Sequence, residues 1–200
     1  LDPVFCIPSG NFGNLTGGVL ANKLGLPVHK FIAASNENKV VPDFLLSGKY
    51  SPKASVQTLS NAMDVGNPSN FARMQDLYRE ETDGSTWNNF TQNLSGYAFT
   101  DQETAIALQE VYQQYQYIMD PHGAVGYLAL KAYQQKHPNT TGVILETAHP
   151  AKFKEDVDRI LQLDTPIPER LAILADQPKK ATPLDKTYPA LKNWLLDTLV

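Results

Sequence analysis

The sequence predicts an α/β protein in three layers, a sheet with helices on both faces, and three observations predict it. Apolar runs at Val4 to Ile7, Val28 to Ala34 and Gly142 to Leu145 suit buried parallel strands better than half-exposed ones. Between them lie stretches with apolar residues at three- and four-residue spacing, the pattern of helices packed on one face. A glycine-bearing turn joins the first run to the first helix, which opens a βαβ unit.

The elements follow in order. Val4, Phe5, Cys6 and Ile7 form the first strand, closed by Pro8, and residues 14–24 continue as a helix with Leu15, Val19, Leu20 and Leu24 on one face. Gly25 stands where a helix ends in left-handed backbone, with Pro27 behind it, so the next strand is Val28 to Ala34. Asn36, Asn38 and Pro42 open a loop or short helix ending near Ser47 and Gly48. Residues 49–67 are then irregular, and a loop of that length usually carries function. Asn67 and Pro68 start a helix through about Glu81, with Phe71, Met74 and Leu77 on its apolar face.

A short helix over 85–95, led by Trp87, Phe90 and Leu94, precedes a strand at Tyr97 to Phe99. Thr100 and Glu103 make a capping box for a helix over 101–116 whose core face is Ala105, Leu108, Val111 and Tyr115. Ile118 and Met119 read as a very short strand, Asp120 to Gly123 as a loop, and 123–136 as a helix. After the strand at Gly142 to Leu145, a last core helix follows His149 and Pro150 and reaches Leu163. From Asp164 onward prolines punctuate the text, with room for helices at 168–175 and 188–199, the second packing through Leu191, Trp194, Leu195 and Leu199. Residues 1–163 are therefore expected to be an α/β domain and 164–200 a helical extension packed on it.

Two hundred residues suffice for such a core. A net charge of −4 without a basic, aromatic-interleaved patch argues against a nucleic-acid surface, and no 18-residue apolar run argues for a membrane span. The expectation is a soluble, cytoplasmic protein. The single cysteine, Cys6, sits in an apolar run and reads as a small buried hydrophobe. No metal site is expected, because His29 and His137 are isolated and Asp120 and His122 lack further ligands at suitable spacing. The chain starts at Leu1 with only three residues before a central strand, from which a fragment is expected.

The chemistry concentrates after the first strand. Ser9, Gly10, Asn11, Phe12, Gly13 and Asn14 make a small polar turn leading into a helix. Free backbone N–H groups and the helix dipole converge there, so a phosphate can be held without a basic side chain. Gly10 and Gly13 would keep the approach open, and the asparagine amides would add donors.

SGNFGN, followed by SNENKVVPDFLLSGKY, TLSNAMDVGNPSNFAR, DPHGAVGY and ETAHPAKF, resembles the threonine synthase family, pyridoxal-phosphate enzymes of fold type II with a tryptophan-synthase-β-like architecture. The resemblance implies that Gly10, Asn11, Phe12, Gly13 and Asn14 bind the cofactor phosphate and that Thr147 is the hydroxyl partner of its pyridine nitrogen. It also implies that Ser69, Asn70 and Arg73 contact the phosphate of O-phospho-L-homoserine, which the family converts with water to L-threonine and phosphate. A surface helix with an ion-paired Arg73, and a helix N-cap at Thr147, are the competing readings of those residues. The family's Schiff-base lysine, in a Phe-Lys-Asp setting, has no counterpart here; it is expected upstream of Leu1 in a missing N-terminal part of the same polypeptide, leaving this chain inactive alone. His149 and Lys152 are expected to be structural. Asn61 stands where proline is common in the family and Gly123 where threonine is. Two alternatives remain open: another lyase of this fold, resembling serine/threonine dehydratases, and a non-catalytic phosphate-ligand module.

Overall fold

The computed structural model describes residues 2–79, 86–175 and 177–199. They fall into two compact units, residues 1–166 and 167–200. The first contains strands β1 (Val4–Pro8), β2 (Lys30–Ser35), β3 (Leu94–Ala98) and β4 (Gly142–Ile144). Its helices are α1 (Gly13–Lys23), α2 (Val40–Ser47), α3 (Phe71–Leu77), α4 (Thr86–Asn93), α5 (Asp101–Tyr115), α6 (Pro121–Lys136) and α7 (Lys154–Leu161), with 3-10 turns at Asn61–Met63 and Pro150–Phe153. The second unit holds α8 (Glu169–Ala175) and α9 (Tyr188–Leu199). Within it Trp194 is half-buried while Leu191 and Leu195 are exposed; the side chain of Leu199 lies outside the described residues.

The sheet order is β3-β2-β1-β4, and every pairing is parallel, with Cys6 opposite both Ile32 and Ile144. Strand alternation sorts the core into two faces. Ile7, Phe31 and Ala33 join Leu15 and Val19 of α1, Phe44 of α2, Phe71 of α3 and Phe90 of α4 on one side. Val4, Cys6, Ile32 and Ala34 join Val125, Ala129 and Tyr133 of α6 on the other. A third cluster, including Leu108, Val111, Ala124 and Ile160, packs α5, α6 and α7 together. Three layers result, as expected for a parallel sheet buried on both sides.

Several expectations are corrected. Leu20 and Leu24 are exposed, because Leu15 and Val19 alone, one turn apart, fill the stripe of α1 that meets β2. On α5 Tyr115 is exposed, and Thr104 and Ala107 share the buried face with Leu108 and Val111. Ile118 and Met119 form no strand. Asp120 to Gly123 is not a loop: Asp120 is the N-cap of α6, its Oδ1 accepting from the His122 N–H at 2.8 Å, and Pro121 is the first helical residue. Pro68 does not begin α3, which starts at Phe71, and Glu81 lies outside the described residues. The third strand begins at Leu94, three residues before the expected Tyr97. The capping box of Thr100 and Glu103 forms as expected.

Among the described residues no helix is long and apolar enough to cross a membrane, and no group of three metal-ligating side chains occurs. Cys6 is fully buried and its Sγ donates to the Gly126 carbonyl at 3.1 Å.

Candidate functional site

From β1 the chain steps one way to β2 and β3 and the other way to β4. In open α/β sheets such a reversal leaves a crevice at the carboxyl ends of the strands, where ligands bind. The β1 end opens into Ser9–Asn14, and the β4 end into Leu145, Glu146 and Thr147, with Leu145 N–H donating to the Cys6 carbonyl at 3.0 Å. The topology therefore brings the two predicted cofactor segments to neighbouring positions of one sheet edge.

The turn is built from the inside out. Phe12 is buried and adopts φ 57° and ψ 25°, a left-handed conformation unusual for an aromatic residue. Burial of its ring in the core offsets that strain, which for a non-glycine is about 1–2 kcal/mol. Phe12 thus offers a ligand its backbone N–H and not its side chain. Asn14 is also committed inward: its Oδ1 accepts from Ser9 Oγ at 2.6 Å and from Leu15 N–H at 2.9 Å, and its Nδ2 donates to the Pro8 carbonyl at 3.1 Å. One of the two N–H donors of its amide is thereby used within the turn. With no side-chain cap on α1, the backbone N–H groups of Asn11, Phe12, Gly13 and Asn14 have no acceptor among the described residues. They stand at the start of α1, the positive end of its helix dipole, a setting that suits an anion.

The two glycines have different roles. A Cβ on Gly10 would stand 2.5 Å from the Met63 Cα, so the 3-10 turn at Asn61–Met63 that crosses it requires glycine there. A Cβ on Gly13 would meet only Asn70 Nδ2, at 3.4 Å, so the space beside Gly13 is otherwise open. That space fits the phosphate of pyridoxal phosphate.

Ser69, Asn70 and Arg73 lie against this turn. The Ser69 N–H and hydroxyl donate to Asn11 Oδ1 at 2.5 and 3.0 Å, Asn70 Nδ2 donates to the Asn11 carbonyl at 2.9 Å, and Arg73 donates to Asn70 Oδ1 at 2.6 Å. Arg73 is therefore joined to the turn through Asn70. Thr147 is exposed beyond β4 and does not cap a helix: His149 caps the 3-10 turn at Pro150–Phe153, accepting from Ala151 N–H at 3.1 Å.

One group escaped the sequence reading. Glu146 belongs to an exposed residue whose carboxyl is turned onto Asp120, with Oε1 accepting from the Asp120 N–H at 3.4 Å. Burial of that carboxyl, then the Asp120 carboxylate beside it, raise its pKa to about 8, against the Asp120 N–H, which favours the ionised form. The sequence signal was its place next to Thr147 at a strand end, but nothing in the sequence shows that Asp120 is its neighbour.

Residues 1–147 match the family described as pyridoxal-phosphate dependent enzyme, and residues 123–194 match the family described as threonine synthase, C-terminal. The threonine synthase of Serratia marcescens is 43% identical over 193 residues, which cover 96% of this chain and 43% of that protein. The crystal structure of threonine synthase from Escherichia coli superposes with a TM-score of 0.84 at 42% identity, over 98% of this chain and 44% of the other. Serine racemase from Dictyostelium discoideum, at 20% identity and a TM-score of 0.51 over 74% of this chain and 43% of its own, shares the fold alone. The chain spans about 43% of the length of the curated relative.

Proposed function

The chain belongs to the pyridoxal-phosphate-dependent enzyme family, and from that premise we propose that it serves in a threonine synthase, converting O-phospho-L-homoserine and water to L-threonine and phosphate. The likeness to threonine synthases along nearly the whole chain supports that choice over a dehydratase: the threonine deaminase of Solanum lycopersicum is 17% identical, a likeness of fold. The observation that carries the reading is the row of unpaired amides from Asn11 to Asn14 at the switch point of the sheet.

When bound, the cofactor supplies an electron sink that stabilises carbanions on the substrate. The turn grips its phosphate through backbone donors and the α1 dipole, which fixes position without a titrating side chain. Thr147 offers the pyridine nitrogen a hydroxyl, a partner that does not require that nitrogen to be protonated. Ser69, Asn70 and Arg73 receive the phosphate of the substrate, with Arg73 as the cation. We assign the cofactor-holding lysine to sequence outside these 200 residues. No lysine here stands between phenylalanine and aspartate in the family's order, Lys30 is committed to the Thr91 and Gln92 carbonyls, and Lys154 to Asp158 and Asp164. On this reading the 200 residues alone do not turn substrate over.

The test is Gly13→Asp in the intact natural protein. The added carboxylate fills the phosphate space without a left-handed backbone to strain, so cofactor-free melting stays within a degree or two. Loss of one or two charge-assisted bonds at about 1.5–3 kcal/mol each weakens pyridoxal-phosphate binding tenfold or more. Unchanged binding removes the cradle.

A further inference from the structure

The loop that carries Thr147 is fastened at both ends to one feature, the first turn of α6. At its near end the Glu146 carboxyl lies on the Asp120 N–H, in a space that only glycine leaves open: a Cβ on Gly123 would stand 2.3 Å from Glu146 Oε1 and 2.5 Å from Oε2. At its far end the Phe153 ring packs on His122, with 4.7 Å between ring centroids. Asp120 and His122 are themselves fixed, at 0% and 3% exposure, because Asp120 Oδ1 takes both the backbone N–H and Nδ1 of His122, at 2.8 and 2.6 Å. The second oxygen of Asp120 and Nε2 of His122 are buried without a partner among the described residues.

The charges decide how the pair behaves. Burial pushes the Asp120 carboxyl up, but its hydrogen bonding with His122 outweighs that and holds the group below the usual carboxylate range. Glu146 faces that carboxylate and is pushed the other way, so at neutral pH the proton resides on Glu146. The remaining titratable groups that face the pair are His122 and Tyr117, the latter raised by burial and then by the charges of Glu146 and Asp120. Among the described residues no lysine or arginine acts on Glu146 to favour its ionised form.

We propose that Glu146 is a positioning residue: hydrogen-bonded to Asp120 across the gap left by Gly123, it sets the loop on which Thr147 presents its hydroxyl. The role of Thr147 rests on the function proposed above, whereas the fastening of the loop does not. A carboxyl whose folded pKa is raised binds its proton more tightly in the fastened state, so fastening is strongest below the ordinary value of 4.5. It weakens as pH climbs from there towards about 8 and is level beyond. Glutamine, which keeps an oxygen to accept from the Asp120 N–H and cannot ionise, removes that dependence.

The experiment follows amide hydrogen exchange of residues 146–153 in the intact, cofactor-free natural protein at two pH values, about 6 and 8.5, bracketing most of that fall, with intrinsic rates corrected. Wild type should lose protection severalfold at the higher pH, and Glu146→Gln should hold it at both. Gly123→Ala, whose methyl evicts the carboxyl, should lack protection at both. If Glu146→Gln loses protection with pH as wild type does, the proposal is overturned. Pyridoxal-phosphate titration of the same samples separates the two readings. A protein that shows the exchange pattern but binds no cofactor refutes the proposed function and supports the fastening, while binding that ignores both variants at both pH values overturns the positioning role.

Discussion

Asn11 Oδ1 accepts from both the backbone N–H and the hydroxyl of Ser69, at 2.5 and 3.0 Å. One carbonyl oxygen thereby joins the turn after β1 to the loop before α3, and with it the residues assigned to the cofactor to those assigned to the substrate. The gap between two bound phosphates would be set by this contact.

Asn11→Ala is expected to cost both functions together. Each lost hydrogen bond is worth about 1 kcal/mol, so affinity for pyridoxal phosphate falls about tenfold and KM for the substrate rises in parallel. Fluorescence titration and steady-state kinetics on the intact protein check this. A change in only one of the two would mean that the contact does not couple them.

Gly10→Ala should destabilise the fold, because the methyl meets the Met63 backbone and the Met63 loop is not free to yield. Asp64 Oδ1 next to it accepts from Asn36 Nδ2 at 2.9 Å, Asn38 Nδ2 at 3.1 Å and Thr58 Oγ1 at 2.7 Å. Overpacking of this kind costs about 1–3 kcal/mol. Gly13→Ala, meeting one amide nitrogen at 3.4 Å, should leave the melting temperature in place. Equal melting of the two variants would contradict the distinction.

Thr147→Ala is expected to lower turnover while phosphate-mediated cofactor affinity stays within a few-fold, since the cradle lies on a different strand end. If turnover is unchanged, the hydroxyl has no part in orienting the ring.

Cys6 should resist alkylation in the native protein. Burial pushes its thiol up to about 12, so it stays protonated at pH 8 and its sulfur is covered. Iodoacetamide followed by mass spectrometry should find it unmodified when folded and fully modified in denaturant. Rapid native labelling would show that β1 opens.

The local signals of the sequence translated well. The capping box at Thr100 and Glu103, the end of α1 at Gly25 with φ 107°, and the glycine-bearing turn between β1 and α1 depend on residues within a few positions of one another. What failed depended on neighbours in space. Asp-Pro reads equally as a turn and as an N-cap with proline at N1, and only packing of α6 on β1 and β4 decides for the helix. Gly10 and Gly13 look alike in sequence, yet Met63 covers one and open space fronts the other. Glu146 was passed over because its partner sits 26 positions earlier. Phe12 buries its ring and Asn14, in the first turn of α1, bonds back to Ser9 and Pro8, details that need the left-handed φ of Phe12 and the bonds of Asn14.

The central place of β1 has a kinetic consequence. Its pairing with β2 closes a short loop, whereas its pairing with β4 joins Cys6 to Ile144 and must wait until nearly the whole first unit has been laid down. Contacts so distant in sequence form slowly, because chain entropy is surrendered before they return anything. The crevice between these strands is thus among the last features to mature, and refolding followed by a ligand signal should lag refolding followed by helix content. A chain interrupted between α6 and β4 would keep most of its secondary structure and none of its pocket.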